Sequence, residues 1–289
     1  MFALIALLSA ACYGAADFLG GLTSKRANTL AIVVVSQLAG LVLLLLMFPI
    51  LPPASPVRAD YLWGAFAGLA GGGGVALLYR ALAIGVMAVV APTTAVCAVA
   101  IPVLAAVAMG ERPAPVTIGG IALAVVSIAL VSQSNHPEPA RESRDEQIGS
   151  RASAFSLALI AGVVIGFFFL ALARTSAGAG LWPLVAARIV SVSLFSGMAL
   201  VASQSLRIPP GIRVTVVAGG ALDMIANFLY LIATRSGPLS VVVTLASLYP
   251  ASTVLLARVV LHERLSRLQW LGVVCALAAV TLIVRTLNF

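Results

Sequence analysis

The chain repeats itself at a fixed offset. When Leu77–Val131 is set against Leu229–Ile283, residues 152 positions apart are compared and no gap is needed. Apolar matches arise easily by chance in a chain so rich in Ala, Val and Leu, so the inference depends on the charged and glycine matches. These are Glu111-Arg112 with Glu263-Arg264, Gly14 with Gly166, Gly68 with Gly220, Gly85 with Gly237, and Gly120 with Gly272. The sequence therefore predicts two homologous halves.

The length of the apolar stretches selects the fold class. Of the 289 residues, 62% are hydrophobic and only 9% are charged, whereas soluble domains carry about 25% charged residues. The stretches approach the ~20 apolar residues that a spanning helix needs. They are continuous, without the alternation of a membrane β-strand. We predict an all-α, polytopic membrane protein with the lipid bilayer as its surroundings.

Ten transmembrane helices are predicted, five in each half. The predicted domains are 1–133, a charged linker loop at 134–151, and 152–289. Because five is an odd number, the second half must enter the bilayer from the opposite side, giving two inverted five-helix repeats, a plan common among secondary transporters. The predicted spans are Phe2–Leu22, Thr29–Leu51, Tyr61–Ala81, Val86–Met109, Val116–Gln133, Ala152–Ala173, Trp182–Ala202, Arg213–Thr234, Leu239–Val260 and Trp270–Val284.

The positions of the basic and histidine residues, together with the catalytic motifs that are missing, argue against several function classes. The net charge of +8 comes from basic residues scattered singly at span ends, which argues against nucleic-acid binding. His136 and His262 have no cysteine or carboxylate at metal-ligand spacing, so no metal or other cofactor is predicted. No nucleophile elbow or zinc-protease motif occurs. We therefore predict that the chain is not an enzyme.

The run of four glycines at 71–74 lies in the third predicted span. In a soluble protein such a run could cradle phosphate, but no GK[ST] follows it and no strand precedes it. In lipid, glycine lets helices approach closely or bend. We predict a helix-packing role.

A motif near the end of the fourth and ninth spans resembles that of a known family. Pro250 precedes His262-Glu263-Arg264, with thirteen residues from the proline to the glutamate, and Ala98 stands at the same distance before Gly110-Glu111-Arg112. This pattern resembles the EamA repeat of the drug/metabolite transporter superfamily. The first half departs from it, having Ala98 at the proline position and its own proline at Pro102.

The resemblance implies a fold and a function. It implies five plus five spans around a central cavity, with spans 1–4 and 6–9 lining the cavity and spans 5 and 10 outside. It implies export of amino acids, other metabolites or toxic cations by alternating access. The motif residues would be structural: Glu111, Arg112, Pro250, Glu263 and Arg264.

Three charged residues fall in the middle of spans. Asp17, Arg188 and Asp223 each carry an insertion cost of at least about 2.5–3.5 kcal/mol, which calls for a reason. We hypothesise that Asp17 or Asp223 pairs with Arg188 in one state and binds substrate or a proton in another. The alternatives are a static structural ion pair or an aspartate that stays protonated in the bilayer.

Polar and aromatic neighbours extend this candidate pathway. Asn227 and Tyr230 follow Asp223 at helical spacing on one face of span eight, and Tyr13 lies one turn before Asp17. Tyr79 is one position from the repeat equivalent of Tyr230. These side chains are candidates for a cavity lining, although tyrosines are equally common at membrane interfaces.

Glu111 and Glu263 lie at span ends beside Arg112 and Arg264. Their position predicts structural helix-end pairs rather than proton carriers.

The function predicted is a secondary transporter exporting small metabolites. Neutral or aromatic amino acids come first, and organic cations come next, both on the resemblance. The alternatives are a membrane channel or facilitator, or a nucleotide-sugar or other metabolite carrier of the same superfamily. A channel would conduct without saturation, whereas a carrier saturates. Because both halves lie in one chain, a monomer suffices.

Two arguments about orientation disagree. Predicted loops on the amino-terminal side carry five arginines, whereas the opposite loops carry eleven Lys and Arg residues. The positive-inside rule places the second set in the cytoplasm. The family resemblance implies cytoplasmic amino and carboxyl termini in a bacterial inner membrane, and we adopt that expectation.

Overall fold

Every regular element in the part of the chain that the structure describes is a helix. The structure is a computed structural model, and it describes residues 1–48, 53–85, 87–131, 144–261 and 266–285. The helices are α1 (Phe2–Ser24), α2 (Thr29–Met47), α3 (Arg58–Ile84), α4 (Met87–Ala108), α5 (Pro115–Val131), α6 (Arg144–Ala173), α7 (Trp182–Val201), α8 (Arg213–Thr234), α9 (Leu239–Ala246), α10 (Tyr249–Leu261) and α11 (Arg267–Arg285).

The number of apolar helical segments agrees with the ten predicted spans. In the described part of the chain, six helices are long and apolar enough to cross a membrane: α1, α2, α3, α6, α7 and α8. Four shorter apolar segments lie in α4, α5, α9 with α10, and α11. The prediction of an all-α, multi-pass membrane fold is confirmed.

The ninth span is broken in its middle, which the sequence analysis did not predict. α9 ends at Ala246, a turn follows at Ser247 and Leu248, and α10 begins at Tyr249. Pro250, which lies in the middle of the predicted span, is therefore the second residue of a new helix. In the first turn its missing N–H costs nothing, because that position has no intrahelical acceptor.

The helix that carries the sixth span begins before the span itself. α6 starts at Arg144, so the second part of the predicted linker loop is helical, while the apolar segment Ser153–Ala173 agrees with the predicted span Ala152–Ala173. The linker residues 132–143 lie outside the described residues, as do 49–52, 86, 262–265 and 286–289.

Packing between the two halves follows an exchange pattern. α3 packs on α6, and the equivalent helix α8 packs on α1. In the same way α4 packs on α6 while α9 and α10 pack on α1, and α3 packs on α7 while α8 packs on α2. α5 and α11, the last helices of each half, pack on each other. Exchanging the halves therefore maps these interhalf contacts onto one another.

The glycines matched in the sequence repeat are contact points of this arrangement. A Cβ added to Gly14 would lie 3.0 Å from the nitrogen of Thr253, and one added to Gly166 would lie 2.8 Å from the Cβ of Ile101, which is the repeat equivalent of Thr253. These contacts join α1 to α10 and α6 to α4. Helix crossings this close leave no room for a side chain.

A second glycine pair behaves in the same way at the helix ends. A Cβ on Gly85 would lie 2.6 Å from the Cβ of Ala154, and one on Gly237 would lie 2.6 Å from the Cγ of Phe2. Ala154 and Phe2 are again 152 positions apart. The repeat thus conserves positions of close approach between halves.

Three members of the four-glycine run also pack tightly. Added Cβ atoms would lie 2.7 Å from Phe168 at Gly71, 2.7 Å from Phe195 at Gly72, and 3.3 Å from the backbone nitrogen of Ile165 at Gly74. The contacting residues belong to α6 and α7. The helix-packing prediction for this run is confirmed.

Candidate functional site

A cavity lies between the two halves, at mid-helix positions. The space not filled by protein atoms is about 650 Å³, and this volume includes the open mouth of the cavity. Its walls come from α1, α2, α3, α6, α7, α8 and α10. Its polar lining residues are Tyr13, Asp17, Gln37, Arg188, Ser191, Asp223, Asn227 and Tyr249.

The walls agree in part with the family expectation. Helices of spans 1–3 and 6–9 contribute lining residues, and α5 and α11 pack on each other away from them. Span four differs. Within the described part of α4, no side chain lines the cavity, because this helix packs behind α6 and α9.

A buried ion pair forms the polar centre of the cavity. The Nη2 of Arg188 donates to the Oδ2 of Asp223, and its Nη1 donates to the Oε1 of Gln37. The side chains of Arg188 and Asp223 are 7% and 20% exposed. A guanidinium at this depth needs such acceptors, because an unpaired buried charge is strongly unfavourable.

Gln37 was not among the predicted site residues. Its Oε1 accepts a second hydrogen bond from the Oγ of Ser191, at 3.1 Å, so α2 and α7 meet at this amide. The side chain is 4% exposed. The signal available in the sequence was a single long polar side chain in the middle of an otherwise apolar span, a feature that costs energy unless the residue has a partner.

A second set of hydrogen bonds joins α1 to α8. The hydroxyl of Tyr13 donates to the Oδ1 of Asn227 at 2.7 Å. The amide nitrogen of Asn227 donates to the backbone oxygen of Asp223 at 2.7 Å and to its carboxylate at 3.1 Å. Asn227 therefore connects the tyrosine of the first half to the ion pair of the second half.

Asp17 also lines the cavity, but its surroundings differ from those of Asp223. It is half-buried, and no hydrogen bond or ion pair reaches its carboxylate from the residues that the structure describes. The cavity thus contains one carboxylate bound to arginine and one that faces open space.

Two predicted pathway residues lie behind the cavity wall. Tyr230 is fully buried and donates to the backbone oxygen of Phe169 at 3.0 Å. The ring of Tyr79 lies against Gly20 of α1, where an added Cβ would overlap it. Neither tyrosine lines the cavity. Tyr249 and Phe169 line it instead, and their apolar runs gave no signal that distinguished them.

The motif glutamate of the first half binds a helix of the second half. The Oε1 of Glu111 accepts from the backbone nitrogen of Leu239 at 2.6 Å, and its Oε2 accepts from that of Ser240 at 3.2 Å. These are the first N–H groups of α9, which lack intrahelical acceptors. The sequence analysis expected a pair with the adjacent Arg112, whereas these hydrogen bonds cross between the halves. Glu263 and Arg264 lie outside the described residues.

Polar contacts also join the halves at the end of the molecule where α3 and α7 begin. The two carboxylate oxygens of Asp60 accept from the backbone nitrogen of Ser176, at 2.7 Å, and from its hydroxyl, at 2.9 Å. Nearby, the Nη2 of Arg235 donates to the backbone oxygen of Gly180 at 2.7 Å. Asp60 is 2% exposed, and it does not line the cavity.

The fold and the cavity define a class: an all-helical membrane protein built from two repeats around a polar centre. The EamA-like transporter family model matches the chain twice, at residues 1–133 and 152–285. The chain belongs to the EamA-like transporter family, within the drug/metabolite transporter superfamily. It is therefore a membrane transporter, and members of this family are transporters, not enzymes.

The fold also has a counterpart among solved structures. One whose title reads "Crystal structure of protein" aligns with a TM-score of 0.72 at 15% sequence identity, covering 97% of this chain and 95% of that one. At this identity the likeness concerns the fold alone. A search of curated protein sequences finds no significant match.

Proposed function

We propose that the chain is a secondary transporter that exports small metabolites by alternating access around the central cavity. The observation that carries this proposal is the Arg188–Asp223 pair, which lies in the cavity between the two halves. Charged residues within membrane spans are expensive and commonly mark a transport pathway. A cavity formed at the interface of two repeats is where transporters of this kind bind their cargo.

The pair can exchange its partners with a charged substrate. A substrate ammonium group would replace Arg188 at Asp223, and a substrate carboxylate would replace Asp223 at Arg188. The exchange keeps each buried charge compensated, which avoids the penalty of leaving one unpaired. Zwitterionic amino acids carry both groups, and the rings of Phe168, Phe169 and Tyr249 in the wall favour neutral or aromatic side chains. Organic cations are a second substrate class, binding at the carboxylates alone.

Asp17 is the group that we assign to the proton or to a substrate cation. It faces the cavity without a bonded partner among the described residues, so binding there breaks no existing contact. Protonation or cation binding at Asp17 would remove its repulsion of Asp223. This links occupancy of one carboxylate to the strength of the ion pair at the other.

The exchange pattern of interhalf contacts supports an inverted repeat. If 1–133 and 152–289 enter the bilayer from opposite sides, with 134–151 as their linker, exchanging the conformations of the halves moves the opening from one face to the other. The cavity is lined by described residues of a single chain, so a monomer suffices for transport. We place the transporter in a bacterial inner membrane with both termini in the cytoplasm. Activity of a periplasmic alkaline phosphatase fused after Phe289 would refute that orientation.

Flux measurements on the purified protein test the transport proposal. Liposomes containing the protein are loaded with labelled amino acids or with a cationic dye, and flux is followed with and without a pH gradient. We expect saturable flux that Asp223→Asn abolishes, while Gly73→Ala, a change in the same bundle away from close contacts, leaves it unchanged. Flux that rises linearly with concentration would indicate a channel or facilitator and overturn the carrier proposal.

A further inference from the structure

The four-glycine run has a relation to the cavity that helix packing does not require. Gly71 and Gly72 both line the cavity, alongside Phe168 of α6 and Ser191 of α7. The bare backbone of α3 therefore forms part of the wall. Arg188 of α7 lines the same cavity, so the two glycines border the space in which a substrate would bind.

The ring of Phe168 occupies the space that a side chain at position 71 would fill. A Cβ on Gly71 would lie 2.7 Å from Cδ2, 3.1 Å from Cε2 and 3.4 Å from Cγ of that ring. No backbone atom of another helix is among these nearest contacts. At Gly73, by contrast, the nearest atom is a methyl carbon of Val164 at 4.0 Å, which leaves room for an alanine.

A methyl group at position 71 would displace the ring. Ordinary contact begins near 3.4 Å, so the ring would have to withdraw from Gly71 by about 0.7 Å. Phe168 is itself a wall residue, and the open space next to it is the cavity. The displaced ring would therefore narrow the cavity.

We propose that Gly71 and Phe168 together set the largest group that the central cavity admits. This inference rests on the proposed function, because it treats the cavity as the binding space for cargo. The resting place of the ring is supplied by the first half and the ring by the second half. A glycine at position 71 thus determines substrate size, and its neighbour at position 73 does not.

Cysteine modification measures this size limit without a known substrate. In a chain whose native cysteines, Cys12, Cys97 and Cys275, are replaced by serine, Val75→Cys places a thiol in the cavity wall one helical turn after Gly71, at a position that is only partly buried. Its rate of modification is compared for two neutral reagents, methyl and benzyl methanethiosulfonate. Gly71→Ala should slow the benzyl reagent relative to the methyl reagent by at least about tenfold, the usual effect of one methyl group too many in an apolar pocket.

Three further variants sharpen the test. Gly73→Ala should leave the ratio of the two rates at its parental value, and Phe168→Ala should raise the benzyl rate. Phe168→Ala should also restore that rate in the Gly71→Ala background, because the ring that the methyl group displaces is then absent. Each variant is included only if it elutes from size-exclusion chromatography in detergent as a single peak, which shows that it is folded.

Two results would overturn the proposal in distinguishable ways. If the ratio of the benzyl rate to the methyl rate is the same in Gly71→Ala as in the parent, position 71 sets no size limit. That result would leave the transport proposal intact. A parental thiol that reacts with neither reagent until the protein is denatured would show that water-borne solutes do not reach the cavity. Both proposals would then fall.

Discussion

Neutralising both members of the Arg188–Asp223 pair separates a scaffold role from a transport role. Asp223→Asn leaves a guanidinium that is 7% exposed without its carboxylate partner. Arg188→Gln leaves a carboxylate that is 20% exposed without its cation. Removing one partner of a buried pair costs about 3–5 kcal/mol, whereas replacing both by neutral groups is often close to neutral.

The expected stabilities follow from this difference. Each single variant should unfold in detergent at a temperature lower by on the order of 5 °C or more, taking about 2 °C for each kcal/mol in a chain of this size. The double variant Arg188→Gln/Asp223→Asn should recover most of that loss. Thermal unfolding can be followed by the elution of the intact protein in size-exclusion chromatography after heating.

Transport should not recover with stability. In liposomes, all three variants should lack saturable flux, because the double variant has lost the charges that exchange with substrate. A double variant that transports at the parental rate would refute the reasoning and make the pair a scaffold element. Asp60→Asn provides the control: it perturbs a buried carboxylate away from the cavity, so stability should fall while flux per folded molecule persists.

Three smaller predictions follow from other contacts. Glu111→Gln should lower stability by about 1 kcal/mol, because the N-terminus of α9 loses a charged acceptor; thermal unfolding measures it. Tyr13→Phe should cost about 1–3 kcal/mol by leaving the Oδ1 of Asn227 without its donor, and unchanged unfolding would contradict that bond. Gly220→Ala should destabilise by about 1–3 kcal/mol, since its Cβ would overlap a backbone oxygen of α2, whereas Gly219→Ala, with its nearest contact at 3.5 Å, should not.

The features that the sequence predicted well are those with a local or repeated signal. Apolar length predicted the helices, and α8 begins and ends at the predicted residues, Arg213 and Thr234. The matched glycines became equivalent helix contacts, because a position without a side chain is a physical requirement wherever two helices touch. The sequence hypothesis left the partner of Arg188 open between Asp17 and Asp223, because each mid-span charge needs a partner in lipid, and the structure pairs Arg188 with Asp223.

The features that the sequence did not predict depend on contacts between distant helices. Gln37 is one polar residue on α2, and its importance comes from Arg188 and Ser191 on α7. Tyr79 and Tyr230 share helix faces with site residues, yet their rings point into packing behind the wall, which only the tertiary arrangement decides. The break at Ser247 lies in a run as apolar as its intact neighbours, so hydropathy could not reveal it.

The two halves share their helix-packing contacts but not their charged cavity residues. Gly71 is the repeat equivalent of Asp223, and Phe169 is the repeat equivalent of Asp17. Each of these two charged wall residues therefore has an uncharged repeat equivalent in the other half. The close glycine contacts are thus present in both halves, whereas each charged wall residue occurs in only one half. Under the transport proposal, a single substitution in the wall would change the substrate without a matching change in the other half, and it would leave the glycine contacts between the halves in place.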